Sequence, residues 1–178
     1  MSSSIVPNGD VVNGDDQRRR LLNIYMCGSI RGGRQDIAYY IKLAEILEKY
    51  GTVLTPFVAD PKVTDEHELD NRAIFLRDTE LLQKADIFIA ECTVTSLGVG
   101  FEIGWAMRHR DFPVLCLYRP SPDNKPKVSA LVLGIDDGDM YRVRKYHDVN
   151  ELPAIIKEFV DFYWNDYILR KVKKHLED

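Results

Sequence analysis

The chain has 178 residues, 45% of them hydrophobic, and a formal net charge of -4, which suits one domain with a substantial core. A pI near 5.6 implies no general attraction to nucleic acid or anionic membrane, so any phosphate must be met locally. Three cysteines far apart and four scattered histidines lack ligand spacing; no metal is implied, and the cysteines read as buried free thiols of an intracellular protein. No apolar run is long enough to span a bilayer and the first twenty residues lack a signal core, so a protein that is soluble and not secreted is expected.

Residues 1–20 are polar, rich in Gly, Asn and Asp, and end in Arg18-Arg19-Arg20; a flexible tail is expected there. Leu21 to Cys27 is a continuous apolar run broken by Asn23, as in a central strand buried on both faces. It ends at Gly28-Ser29-Ile30-Arg31-Gly32-Gly33-Arg34. Glycines let a backbone approach a ligand closely, Ser29 offers a hydroxyl, Arg31 and Arg34 offer charge, and a helix start offers N–H groups. This is either an anion cradle or an ordinary strand-to-helix turn. It matches neither the Walker A pattern nor the dinucleotide fingerprint, so it specifies neither ATP nor NAD.

A helix is predicted from Asp36 to Tyr50, with Ile37, Tyr40, Ile41, Ala44 and Leu47 inward and Gly51 as its terminator. Thr52 to Thr55 reads as a second strand, and Pro56 to Asp70, with His67 as a solvated loop histidine, as a loop able to wall a site. From Asn71 to Ala85 a helical stripe of Ile74, Leu81, Leu82 and Ala85 is interrupted by Asp78. A buried acid there is a candidate proton donor, unless an arginine such as Arg31 pairs with it. Asp86 to Ala90 is the third strand.

Thr95-Ser96-Leu97-Gly98-Val99-Gly100 then leads into a helix carrying Phe101-Glu102-Ile103-Gly104. Val99, Ile103, Ala106 and Met107 form its inward stripe, and Glu102 lies on the edge. A half-buried glutamate near a helix start stays ionised and can act as a nucleophile; alternatively it is an acidic first-turn residue pointing to water. A fourth strand covers Pro113 to Tyr118, a proline-rich loop covers Arg119 to Lys127, and Val128 to Leu133 follows. Tyr141 to Tyr146 alternates like an edge strand, and Glu151 opens a long helix whose end spaces Trp164, Ile168, Val172 and Leu176 by four.

Alternation of strands and helices predicts an α/β fold: a doubly wound, Rossmann/flavodoxin-like, mostly parallel five-stranded sheet with helices on both faces. A tail over 1–20, a catalytic domain over 21–163 and a helical extension over 164–178 are expected. Ligands bind such sheets at the carboxyl ends of the strands, where the Gly28 loop, the Gly98 loop and both acids can converge. A phosphate cradle with two acids in different environments is equipment for displacement at a glycosidic carbon.

The blocks Tyr25-Met26-Cys27-Gly28-Ser29-Ile30-Arg31-Gly32-Gly33-Arg34, Asp78 with Leu81 to Asp86, Ser96 to Gly104, and Val128-Ser129-Ala130 resemble the 2′-deoxynucleoside 5′-monophosphate N-hydrolases of the Rcl type. These are relatives of the nucleoside 2-deoxyribosyltransferases, and the similarity runs from about Ile24 to Tyr146. The resemblance implies hydrolysis to 2-deoxyribose 5-phosphate and free base without a cofactor. Glu102 would be the nucleophile, Asp78 the acid/base and Tyr25 their neighbour at the sugar. Gly28, Ser29, Ile30, Arg31, Gly32, Ser96 and Gly98 would line the nucleotide site, and Ser129 would reach the phosphate in the neighbouring subunit of a homodimer, in the cytoplasm or nucleus. Base exchange by a deoxyribosyltransferase and non-catalytic nucleotide binding are the alternatives. Family members carry Glu-His where this chain has Pro56-Phe57, so a polar contact made there is absent here; the charged end from Trp164 to Asp178 has no evident counterpart.

Overall fold

A computed structural model describes residues 22–64, 69–108, 113–121 and 127–177, with side chains 166–177 excluded. The expectations for 1–20, for His67 and for the apolar spacing beyond Trp164 lie outside the described residues. The strands are β1 (Leu22–Cys27), β2 (Gly51–Val53), β3 (Ile87–Glu91), β4 (Val114–Tyr118) and β5 (Tyr141–Lys145). They form one parallel sheet in the order β2-β1-β3-β4-β5. The helices are α1 (Ile37–Leu47), α2 (Asn71–Lys84), α3 (Leu97–Arg108), the one-turn α4 (Ala130–Leu133) and α5 (Leu152–Glu177), with 3-10 turns at Pro56–Val58 and Val149–Glu151.

The central strands are apolar except for Asn23 and Glu91 because both of their faces are covered. Ile24, Met26, Ile87, Ile89, Leu115 and Leu117 face a layer built by α1 and α5. Their chain neighbours Tyr25, Cys27, Phe88, Ala90, Val114 and Cys116 face α2 and α3. Period-2 alternation thus sends Tyr25 and Cys27 to the same side as Glu102. Asp86 locks the start of this frame, its carboxylate accepting from Asn23 N at 2.8 Å while its own N–H donates to Asn23 O at 2.7 Å. All three cysteines are buried free thiols. Among the described residues, no helix is long and apolar enough to cross a membrane.

Two expectations are corrected. Helix α1 ends at Leu47, and its buried face is Tyr40, Leu43, Ala44, Ile46 and Leu47, with Ile37 and Ile41 only half-buried. Gly51 is no helix terminator: it opens β2, where an added Cβ would stand 2.1 Å from Leu22 O. The backbones pair too closely there for any side chain. Helix α5 runs through residue 164 to Glu177, and Trp164 packs partly against the α1/α5 layer.

The chain leaves β1 toward β2 on one side and returns to β3 on the other, so the sheet order reverses between β1 and β3. Crevices at such a switch point open beyond the carboxyl ends of the strands. Cys27 and Ala90 are register partners there, which brings the loops after β1 and β3 together.

Candidate active site

A cavity of about 610 Å³ opens at this crevice. Its walls come from the β1–α1 loop (Cys27, Gly28, Ile30, Arg31, Gly32), from Phe57 and Val58, from α2 (Asn71 to Leu82) and from the start of α3 (Thr95 to Glu102). Of the residues singled out in the sequence, Gly28, Ile30, Arg31, Gly32, Asp78, Ser96, Gly98 and Glu102 line it.

Glu102 sits on the second turn of α3, whose stripe Val99, Ile103 and Ala106 is buried as expected. It does not point simply to water. Tyr25 donates its hydroxyl to Glu102 Oε1 at 2.6 Å. The tyrosine ring is stacked on Phe88 with centroids 5.5 Å apart and planes 9° from parallel, so its hydroxyl has a fixed aim. Burial, then the charges of Glu102 and Asp78, push the Tyr25 phenol far above its ordinary value. It therefore remains a neutral donor at any working pH. Burial and then Glu102 likewise push the Cys27 thiol well up; it stays protonated and a poor nucleophile.

Asp78 is not the solitary buried acid that its helical stripe suggests. Arg77 Nε donates to Asp78 Oδ1 at 2.8 Å, and the guanidinium lies 3.8 Å from the centroid of the Phe57 ring. Arg31 donates to Asn71 Oδ1 at 2.9 Å across the mouth. Asp78 thus meets the cavity as an ion-paired carboxylate.

The expected cradle is divided. Arg34 is structural, donating to Val58 O at 2.9 Å and Asp60 O at 2.8 Å, which ties the loop after β2 to the loop after β1. Ser29 is fully buried and lies behind Gly32, outside the cavity lining. Its N–H is taken by the Tyr40 hydroxyl at 3.1 Å, which draws it down onto α1. Gly32 has to be glycine: an added Cβ would stand 2.6 Å from Ser29 Oγ and 2.7 Å from Thr95 O. What remains for an anion is Arg31, the Gly28 and Gly32 backbone, and the amino end of α3. There Ser96 Oγ accepts from Val99 N at 3.4 Å and Gly98 presents bare backbone. Ser129 is exposed, caps α4 by accepting from Leu131 N at 3.3 Å, and does not line the cavity of its own chain.

Phe57 lies in the loop expected to wall the site, whereas sequence reasoning passed over Ile74, Phe75, Thr79, Leu97 and Phe101 as walls, together with Arg77. Helical periodicity hides Arg77, because neighbours at i and i+1 project in different directions. The apolar walls carried a signal only in being exposed positions filled by large apolar residues: Leu97 is 95% exposed, Phe101 53% and Phe75 42%. Among the described residues no cluster of three or more His, Cys, Asp or Glu is arranged to hold a metal ion.

The family model described as nucleoside 2-deoxyribosyltransferase matches residues 24–131, which contain every residue named in this cavity. A 5-hydroxymethyl-dUMP N-hydrolase from Esox lucius is 42% identical over 142 residues, covering 78% of this chain and 95% of that protein. The protein of the same name from Rattus norvegicus is 37% identical over 152 residues, covering 84% and 88%. A Clostridium botulinum CMP N-glycosidase structure superposes with TM-score 0.52 at 18% identity, covering 76% of this chain and 98% of that one, a likeness of fold. The chain belongs to the nucleoside 2-deoxyribosyltransferase family.

Proposed function

We propose that this chain hydrolyses the N-glycosidic bond of 2′-deoxynucleoside 5′-monophosphates to 2-deoxyribose 5-phosphate and free base. The observation that carries the reading is Glu102 held by the Tyr25 hydroxyl at 2.6 Å, with Asp78 in the wall of the same cavity. Glu102 attacks the anomeric carbon as the base departs, forming a glutamyl-sugar ester. Asp78 relays a solvent proton to the leaving base, and as the carboxylate it then takes a proton from the water that cleaves the ester and returns it to solvent. Retention through such an ester wants the carboxyl groups roughly 5 Å apart. The amino end of α3 and Arg31 suit the 5′-phosphate.

The relatives named as N-hydrolases support release to water. The family's own description is a transferase, so base exchange is the second reading. Incubating the protein with a deoxynucleoside monophosphate, with and without an added free base, separates them. Free base and deoxyribose phosphate are expected, and a new nucleotide as main product would reverse the choice. Glu102→Gln is expected to lose at least about a hundredfold of kcat, the scale of a covalent role. Base release by Glu102→Gln at the parent rate would end the reading.

A homodimer with shared sites belongs to the same proposal. It is supported by Ser129 being exposed and outside its own cavity, and by Leu131, 85% exposed, beside it. Mixing inactive Glu102→Ala and Ser129→Ala chains is expected to restore some activity; full activity of Ser129→Ala alone would remove the shared site. Residence in the cytoplasm or nucleus suits three unpaired thiols, and imaging a tagged chain tests it.

A further inference from the structure

Residues at i and i+1 of a helix do not face one another, yet Arg77 and Asp78 are bonded at 2.8 Å. The arginine must therefore fold its guanidinium along the helix surface. The platform for that bend is the Phe57 ring, 3.8 Å from the Arg77 Cζ and itself part of the cavity wall. Phe57 is in turn fixed. It lies in the Pro56–Val58 turn, next to Thr55, which is buried and clamped to β1 by accepting from Met26 N at 3.2 Å and donating to Met26 O at 2.5 Å. Both partners in the pair are mostly shielded, with side-chain exposures of 27% for Arg77 and 20% for Asp78, so the attraction is weakly screened.

We infer that Phe57 and Arg77 are positioning residues for Asp78: the ring holds the guanidinium flat, and the guanidinium aims the carboxylate into the cavity. The inference rests on the acid/base role proposed for Asp78. It assigns a use to Phe57, whose ring forms part of the cavity wall. Phe57 is an aromatic seat for a cation supplied by α2. Arginine suits the seat because its planar group stacks and donates at once, which lysine cannot do.

Among the described residues, the other ionisable groups at this cavity are Tyr25 and Cys27 on β1, Glu102 on α3 and Arg31 in the β1–α1 loop. Tyr25 and Cys27 are held protonated. Among the described residues that line the cavity, Asp78 and Glu102 are the carboxylates, and Arg77 is bonded to Asp78.

The test measures kcat, KM and the pH profile of base release for the parent, Arg77→Gln, Arg77→Lys, Phe57→Leu, Phe57→Tyr and Asp78→Asn. For Arg77→Gln, loss of the charge is expected to move one limb of the profile to higher pH, with kcat down about tenfold and KM changed less than about threefold. Arg77→Lys keeps the charge and so keeps the limb nearer the parent, yet loses kcat because the aim is lost. Phe57→Leu is expected to follow Arg77→Gln in direction, and Phe57→Tyr, which keeps a ring face, to sit closer to the parent. An unmoved limb and unchanged kcat in Arg77→Gln would overturn the inference while Asp78→Asn is inactive. Full activity of Asp78→Asn would overturn the underlying role of Asp78 instead. Should Arg77→Gln fold poorly, Arg77→Lys and Phe57→Leu decide alone: parent-like kcat in both overturns the inference.

Discussion

Tyr25→Phe removes one oxygen and little else. The ring that stacks on Phe88 is kept, so packing is preserved and the variant reports on the hydroxyl. That hydroxyl donates to Glu102 Oε1 at 2.6 Å from a site only 1% exposed. A hydrogen bond to a charged group is worth about 1.5–3 kcal/mol. In the proposed mechanism Glu102 loses its charge on attacking the sugar and regains it when the ester is cleaved. The Tyr25 donor therefore helps the second step most, where the carboxylate is the leaving group. At 1.36 kcal/mol per decade, ester cleavage is expected to slow by about 10- to 150-fold. Attack is less affected, so the ester accumulates: rapid-quench kinetics are expected to show a burst of free base near one equivalent, and intact-mass spectrometry a deoxyribose-phosphate adduct on the chain. Steady-state kcat within threefold of the parent, with neither burst nor adduct, would refute the reasoning.

Two further outcomes follow from the geometry. Gly32→Ala places a Cβ 2.6 Å from Ser29 Oγ and 2.7 Å from Thr95 O; because one clash is with backbone, a loss of about 1–3 kcal/mol of stability is expected, read from the urea midpoint, together with weaker nucleotide binding. Glu91 is buried at the end of β3, where it accepts from Thr93 N at 3.2 Å and the Tyr146 hydroxyl at 3.0 Å, and burial raises its carboxyl above the ordinary 4.5. The folded chain binds that proton more tightly than the unfolded one, so the stabilisation is fully present below pH 4.5 and is lost as pH rises through the folded value. The stability of the parent relative to Glu91→Gln is accordingly expected to fall as pH is raised from 4.5; a difference that is flat with pH contradicts the assignment.

Strand identity and layer order could be read from local pattern. The runs from Leu22 to Cys27, Ile87 to Glu91 and Val114 to Tyr118 have too little polar content for any place except the middle of a covered sheet. The stripe of Val99, Ile103 and Ala106 likewise sets Glu102 at the edge of a buried face, since 3.6-residue periodicity is a local property. The three-residue strand β2 and the early end of α1 could not be read so well. Their limits depend on how closely Gly51 can approach Leu22, a contact across nearly thirty residues.

For the site, the sequence by itself determined which chemistry was available: two carboxylates interrupting or edging apolar stripes, and glycine-rich loops after the first and third strands. Which oxygen meets which donor was decided only by the tertiary structure. Alternation along β1 says that Tyr25 and Cys27 share a face, but only strand pairing and the packing of α3 bring Tyr25 to Glu102, 77 positions away. Arg31 and Arg34 look alike in sequence, yet one reaches the cavity mouth and the other is spent on the carbonyls of Val58 and Asp60. Ser29 looks like a ligand and is buried behind Gly32, while Arg77, which no periodic pattern marks, is bent onto Phe57 against Asp78. The physical reason is the same throughout: periodicity assigns a side chain to a face, whereas hydrogen bonds and ion pairs act over a few ångströms between groups whose proximity is set by long-range packing.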